Sequence, residues 1–289
     1  KVLVVGDLML DEYLWGSVDR ISQEAPIPVL DVQKIDFRLG GAANTAYNAK
    51  TLGNKVFLTG VIGNDEKGAI LKKLLEEKNI DAEGIIVDNQ RKTTLKTRAV
   101  AHNQQVVRID IEDRNPIGQE TEDKIVEFVK SRIKDLRAMV ISDYAKGVVT
   151  RNLSQRIIAL AKENNVFSVV DPKGTDVFKY RGCTVIAPNK KELGVALNIP
   201  FEQLEQEGRF FQAAKMLLAN MMSDSVVVKC SSEGLVVFEK TGNPFRYPAV
   251  NKMPVDVSGA GDTAIAVFAL AVASRADLRE AIVLASHAC

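Results

Sequence analysis

The chain has 289 residues with 38 Lys and Arg against 37 Asp and Glu, so no excess of positive charge marks it for nucleic acid or an anionic membrane. Its 46% apolar and 26% charged residues are ordinary for a globular protein and sufficient for one large α/β domain. Three dispersed cysteines (Cys183, Cys230, Cys289) and two histidines (His102, His287) argue against a disulfide framework, a zinc site or a Ser-His-Asp triad, and suit a reducing cytoplasm.

The opening run, Val2 to Val5, predicts a strand rather than a secretory leader, because Asp7 and Asp11 follow at once. Further strands are expected at 56–62, 138–142, 167–171, 184–188, 225–230 and 235–239. Most are continuous Val/Ile/Leu runs, as strands covered on both faces require. Amphipathic helices are expected at 42–52, 68–78, 121–133, 153–164 and 201–219. This alternation predicts an α/β fold, a doubly wound and mainly parallel sheet with helices on both faces.

Two stretches, 13–39 and 93–111, alternate apolar and polar residues without a helical period. They predict antiparallel strands, either a small separate sheet acting as a lid or a pair of edge hairpins. The apolar run 264–273 predicts a buried helix, about half the ~20 residues a membrane span needs. The chain has no initiator Met and closes inside the helical pattern of Ala281, Ile282, Leu284 and Ala285, without a stop signal. The expectation is a single domain over 1–289, belonging to something longer.

Ligands of open parallel sheets gather at the carboxyl ends of the strands. Asp7, Asp11, Asp143, Asp171, Lys173, Asn189 and Glu192 all fall there. Neither a GxGxxG fingerprint nor a P-loop is present, which disfavours a Rossmann dinucleotide enzyme and a P-loop enzyme. Gly40-Gly41-Ala42-Ala43-Asn44 opens a helix and offers Asn44 as a donor to substrate hydroxyls. Asn189-Lys190-Lys191-Glu192 follows a strand. An Asn and a carboxylate three apart could hold hydrated magnesium near a triphosphate, or could simply cap a helix.

The most informative segment is Asp256-Val257-Ser258-Gly259-Ala260-Gly261-Asp262, set between an extended run at 253–257 and the buried helix. Small residues at 259–261 allow close backbone approach, and the helix amides and dipole there favour an anion. Asp262 could then accept a proton from a hydroxyl while those amides hold a phosphoryl group, which is kinase chemistry. Alone, the same pattern also describes a tight strand-to-helix turn with Asp as a cap.

Residues 40–44, 189–192 and 256–262 resemble, in order and spacing, the three signatures of the ribokinase-like (PfkB) sugar kinases. Longer segments, Gly6-Asp7-Leu8-Met9-Leu10-Asp11, Arg20-Ile21-Ser22-Gln23-Glu24-Ala25-Pro26, Asn103-Gln104-Gln105, Ser142-Asp143-Tyr144-Ala145-Lys146-Gly147 and Asp171-Pro172-Lys173-Gly174, are similar to the bacterial heptose-7-phosphate kinase branch. That branch also forms the kinase half of bifunctional ADP-heptose synthases. The resemblance covers the whole chain and implies a ribokinase-like fold with a β-sheet lid.

It also implies transfer of the ATP γ-phosphoryl group to the anomeric hydroxyl of D-glycero-β-D-manno-heptose 7-phosphate, with Mg2+ and a monovalent cation as expected ions. On this resemblance Asp262 is the general base, and Gly259, Ala260 and Gly261 form the anion hole. Asn189 and Glu192, with Lys190 and Lys191 between them, organise magnesium and the ATP phosphates. Lys229, Ser231 and Gly234 lie on the nucleotide side, where the family more often has Thr-Arg-Ser, and Ser258 stands for a usual Thr.

The substrate side is expected to comprise Asp7, Asp11, Gly40, Gly41, Asn44 and Asp143 for the sugar hydroxyls. Arg38, Arg98, Arg108 and Lys173 are the candidates for its distal phosphate. A homodimer through paired lids and a nucleotidyltransferase domain beyond residue 289 are further expectations by analogy. The alternatives are another PfkB-type sugar or sugar-phosphate kinase, or a non-catalytic sugar-sensing domain.

Overall fold

A computed structural model describes residues 1–102, 104–250 and 259–288. The chain runs β1 (Val2–Gly6), β2 (Leu8–Ile21), β3 (Pro28–Gly41), α1 (Ala42–Thr51), β4 (Val56–Gly63), α2 (Glu66–Glu77), β5 (Ile85–Asp88), β6 (Thr94–Ala101) and β7 (Gln104–Ile111). It continues through α3 (Gln119–Arg132), β8 (Ala138–Ser142), α4 (Arg151–Glu163), β9 (Phe167–Asp171), β10 (Val185–Ile186), α5 (Lys190–Leu197) and α6 (Glu207–Met221). Last come β11 (Ser225–Lys229), β12 (Leu235–Glu239), β13 (Phe245–Tyr247), α7 (Ala260–Ala273) and α8 (Leu278–His287).

Nine strands form one sheet in the order β13-β12-β11-β10-β9-β8-β1-β4-β5. All neighbours are parallel except the β11–β12 and β12–β13 pairs at one edge. Side chains alternate across it with the period of two that a strand dictates. Leu3, Val5, Met139 and Ile141 pack with Ile125 of α3, Leu153 and Ile157 of α4 and Phe210 of α6. Val2, Val4, Ala138 and Val140 pack on the other face with Ala46 of α1, Leu71 of α2, Phe268 of α7 and Ile282 of α8. Both faces are thus covered, which is why these strands carry unbroken apolar runs.

A second sheet of four strands, β3-β2-β6-β7, stands apart from the first. This is the small sheet expected from 13–39 and 93–111, with one difference. β2 and β6 pair in parallel, from Met9↔Thr94 to Gly16↔Ala101, because α1, β4, α2 and β5 form a crossover between them. Its strands also start earlier than expected, at Leu8, directly after the first strand.

Two other expectations change. The strand expected at 184–188 shortens to Val185–Ile186. The helix expected over 201–219 is a short 3-10 turn, Phe201–Glu205, then α6, broken where Gln206 takes an extended conformation. Among the described residues no helix is long and apolar enough to cross a membrane.

Candidate active site

Asp7 is the single residue between β1 and β2, the point where the chain leaves the large sheet for the small one. Its N–H bonds to Ser142 O at 3.1 Å and its carbonyl accepts the Ala42 N–H at 3.0 Å, joining the end of β8 to the start of α1. Its carboxylate accepts the backbone N–H groups of Tyr144, Lys146 and Val148 at 2.7, 3.1 and 3.1 Å. Asp143 is also turned inward, accepting from the Ala145 N–H and the Tyr180 hydroxyl and pairing with Lys179.

Asp7 and Asp143, expected at the sugar hydroxyls, both turn their carboxylates to protein donors here. They are 1% and 3% exposed, and their oxygens are spent on protein donors. Burial, reinforced by the charge of Asp143, pushes the Asp7 carboxyl up to about 7. What the pair does is shape residues 143–148 so that Tyr144 faces a cavity of about 580 Å³.

α1 and α7 both begin at that cavity. Gly259, at φ 83°, starts α7, and a Cβ there would lie 2.9 Å from Asn44 Nδ2, so glycine is required for the helices to meet. Asp65, Thr150, Asn189 and Asp277 cap α2, α4, α5 and α8 with their side chains. α1 and α7 instead start at glycines, Gly41 and Gly259, which carry no capping side chain, and the dipole of each helix start favours negative charge there. Ala260 and Gly261 form the first turn of α7 behind Gly259.

Asp262 follows in the same turn. Its Oδ2 accepts Asn44 Nδ2 at 2.7 Å and its Oδ1 accepts the Tyr144 hydroxyl. Thr263 next to it accepts Asn48 Nδ2 at 3.0 Å, a second tie between α7 and α1. Asp262 is largely buried yet lines the cavity. Burial holds its carboxyl above the ordinary range, while the Asn44 and Tyr144 donors and the Lys229 charge draw it part of the way back. A carboxylate oriented by two donors, with raised proton affinity, in a cleft has the properties of a general base.

Asp11, Gly41, Arg38, Arg98 and Arg108 line the same cavity, with Asn44 and Asp262. Arg98 gives its Nη1 to Asp11 Oδ1 at 2.7 Å. Gly40 lies under Asp11, where a Cβ would come 2.7 Å from Oδ2.

The other half of the expected site lies at the ends of β10 and β11. Asn189 Oδ1 accepts the Glu192 N–H, and Glu192 Oε2 accepts the Asn189 N–H, both at 2.8 Å, so the helix-capping alternative is what forms. Lys173, expected at the sugar phosphate, pairs with Glu192 Oε1 at 2.8 Å. Lys190 pairs with Glu233 at 2.5 Å, and Lys191 lies over Phe201 at 5.7 Å.

Lys229 ends β11 in a bridge with Asn189 and an ion pair with Asp171. Burial alone would pull its ammonium down, but Asp171, Glu192 and Asp262 together hold it above its usual value. Burial raises Asp171 to about 6, against the opposing charge of Lys229. Lys229 thus electrostatically joins the Asn189–Glu192 turn to Asp262. Ser231 is exposed in the turn that follows, and Gly234 closes it at φ 89°. Ser258, the extended run at 253–257 and Asn103 lie outside the described residues.

Among the described residues no group of three or more His, Cys, Asp or Glu side chains could hold a metal. Asn189 Oδ1 and both Glu192 oxygens accept from protein donors, so the mode left to them for a divalent ion is contact through its water shell. Sequence reasoning missed Tyr144 as a partner of Asp262, and Tyr13, Tyr47, Lys78 and Lys96 as cavity residues. Tyr144 had one signal, its place one residue past a strand-end aspartate.

A family model described as pfkB family carbohydrate kinase matches residues 1–289. The chain is 44% identical over 288 residues to Bifunctional protein HldE of Geobacter metallireducens, covering 100% of this chain and 58% of that protein. It is 41% identical over 288 residues to Bifunctional protein HldE of Helicobacter pylori, covering 100% of this chain and 62% of that one. The chain therefore spans about three fifths of these relatives.

Among solved structures, phosphofructokinase-2 from Escherichia coli in its tetrameric inhibited form superposes with a TM-score of 0.81 at 19% identity, covering 99% of this chain and 91% of that one. Arabidopsis thaliana ribokinase complexed with ribose and ATP gives 0.75 at 18%, covering 99% and 89%. Those two likenesses show the fold. With the match over its full length, the chain belongs to the pfkB family of carbohydrate kinases.

Proposed function

We propose that this domain transfers the γ-phosphoryl group of ATP to the anomeric hydroxyl of D-glycero-β-D-manno-heptose 7-phosphate. The observation that carries the reading is Asp262, oriented by Asn44 and Tyr144 at the α7 N-terminus and open to the cavity. Asp262 accepts the hydroxyl proton as the anomeric oxygen bonds to the γ-phosphorus. The bond from that phosphorus to the bridging oxygen breaks, and ADP leaves with the electron pair.

General-base help of this kind is worth about 10²–10⁴ in rate. The amides at the start of α7 meet the developing charge, each well-aimed donor worth about 3 kcal/mol. Glu192 and Asn189 would hold magnesium through water; bound there, the ion offsets phosphate charge. Support for heptose rather than fructose or ribose comes from the motif resemblances at residues 6–11, 20–26, 142–147 and 171–174.

ADP release measured across heptose 7-phosphate, fructose phosphates and ribose tests the substrate. Heptose 7-phosphate is expected to lead by about tenfold or more in kcat/KM, because a site built around polar groups rejects acceptors that leave them unpaired. A lead for ribose or a fructose phosphate would make this another sugar kinase of the family. No ADP release with any sugar would make it a sugar-sensing domain.

We further infer a homodimer built on the outer face of the small sheet, where Ile35, Val107, Ile109 and Ile111 are exposed. In the longer protein, a nucleotidyltransferase domain would follow residue 289.

A further inference from the structure

The cavity holds more cations than a neutral sugar needs. Lys78, Lys96, Arg38, Arg98 and Arg108 line it, against the carboxylates of Asp11 and Asp262. Charge matching sorts these cations into two kinds. Arg98 is paired with Asp11 at 2.7 Å. Arg108 donates twice to Asp110, at 2.9 and 3.1 Å. Lys96 pairs with Asp110 at 3.1 Å and lies 3.9 Å from Glu112.

Arg38 and Lys78 are different. Among the described residues neither lies within ion-pairing reach of a carboxylate. The nearest acidic neighbour along β3, Asp36, is held by Lys34 at 2.9 Å and feels the charge of Arg38 only as a lesser influence. Each is laid on a tyrosine ring, Arg38 over Tyr13 at 4.4 Å and Lys78 over Tyr47 at 5.4 Å; Arg98 also lies over Tyr13, at 5.2 Å, but is spent on Asp11. A ring face steadies a cation without using its N–H donors. Two steadied cations with unspent donors are what a phosphate monoester dianion requires.

Their placement fits the far end of a substrate seated on Asp262. Tyr47 lies three residues beyond Asn44 on α1, on the same face and about 4.5 Å further along the helix axis. Arg38 lies directly across from Asp11 in the β2–β3 register. Lys78 reaches in from the C-terminal end of α2.

We propose that Arg38 and Lys78 form the anion subsite for the distal phosphate of the sugar. Of the four sequence candidates for that phosphate, Arg38 is kept, while Arg98 and Arg108 serve Asp11 and Asp110 and Lys173 pairs with Glu192. The inference rests on the kinase reading above and specifies which side chains make it select a phosphorylated acceptor.

The test is ADP release by Arg38→Gln and Lys78→Gln on heptose 7-phosphate and on the same heptose without its phosphate. In each variant the ratio of kcat/KM for the phosphorylated over the plain acceptor should fall by roughly tenfold or more, mainly through KM. Lys78→Arg, which keeps the charge, should restore most of the ratio. Lys73→Gln removes a charge from the same helix, but Lys73 pairs with Glu77 at 3.9 Å and lies outside the cavity. Its ratio should stay within about twofold, as expected for an exposed pair.

An unmoved ratio in either cavity variant, or equal losses on both acceptors, overturns the subsite. So does a wild-type enzyme that prefers the plain acceptor, while leaving the kinase reading intact. No ADP release with any sugar overturns both.

Discussion

As the proposed base, Asp262 would meet a conflict common to catalytic carboxylates: it must be ionised to accept a proton, yet burial opposes its charge. Asn44 and Tyr144 ease that conflict by donating to its two oxygens, and Lys229 helps from a distance, while the charge of Asp11 works the other way. Replacing Tyr144 by Phe removes a donor that favours the charged form, so the carboxyl should hold its proton to higher pH. Because the base acts only when ionised, the acidic limb of the kcat/KM profile should move to higher pH. Loss of activity should then be greater at pH 6 than at pH 9. A profile lowered uniformly, without displacement, would assign Tyr144 a purely structural part. Asp262 and Asn44 were legible in the sequence because small residues and helix starts surround them. The inward turn of Asp7 and Asp143 was not legible, since a strand-end carboxylate reads alike whether it faces the cleft or folds back to collect N–H groups from its own loop.

The small sheet is the element whose pattern was readable and whose pairing was not. Alternation marks a strand but carries no direction, so the parallel β2–β6 pair depended on the long crossover between them. The same sheet touches the 143–148 loop, through the ion pair of Glu112, just past β7, with Lys146 at 2.5 Å. β7 is exposed along its whole length, and Val107, Ile109 and Ile111 are 49%, 52% and 44% exposed. An apolar strand so bare calls for a cover. Light scattering should give twice the 31.6 kDa of one chain, and Ile109→Asp should shift the species towards one chain. A wild-type monomer at micromolar concentration would dismiss the paired-lid arrangement. At this scale the short β10 and the break at Gln206 escaped prediction, because a two-residue strand has no period and the apolar pattern continues across the break.

Across the whole molecule, both faces of the large sheet are buried, and its strand ends supply two half-sites. One is the cavity between the small sheet, α1 and α7, where we place the sugar; the other is the Asn189–Glu192 turn beside Lys229. The alternation of unbroken apolar strands and amphipathic helices made this architecture legible. Ion-pair choices within the cleft were not, because they depend on which charges the fold brings together across distant segments. Asp262 is where the two halves meet. Steady-state ADP release by Asp262→Asn with heptose 7-phosphate, run beside a titration of ATP binding, examines that junction. We expect kcat to fall by about 100-fold or more, the lower end of what a general base supplies, with ATP affinity largely retained. Turnover at the wild-type rate would contradict the assignment of Asp262 as the base and, with it, the phosphoryl-transfer site described here.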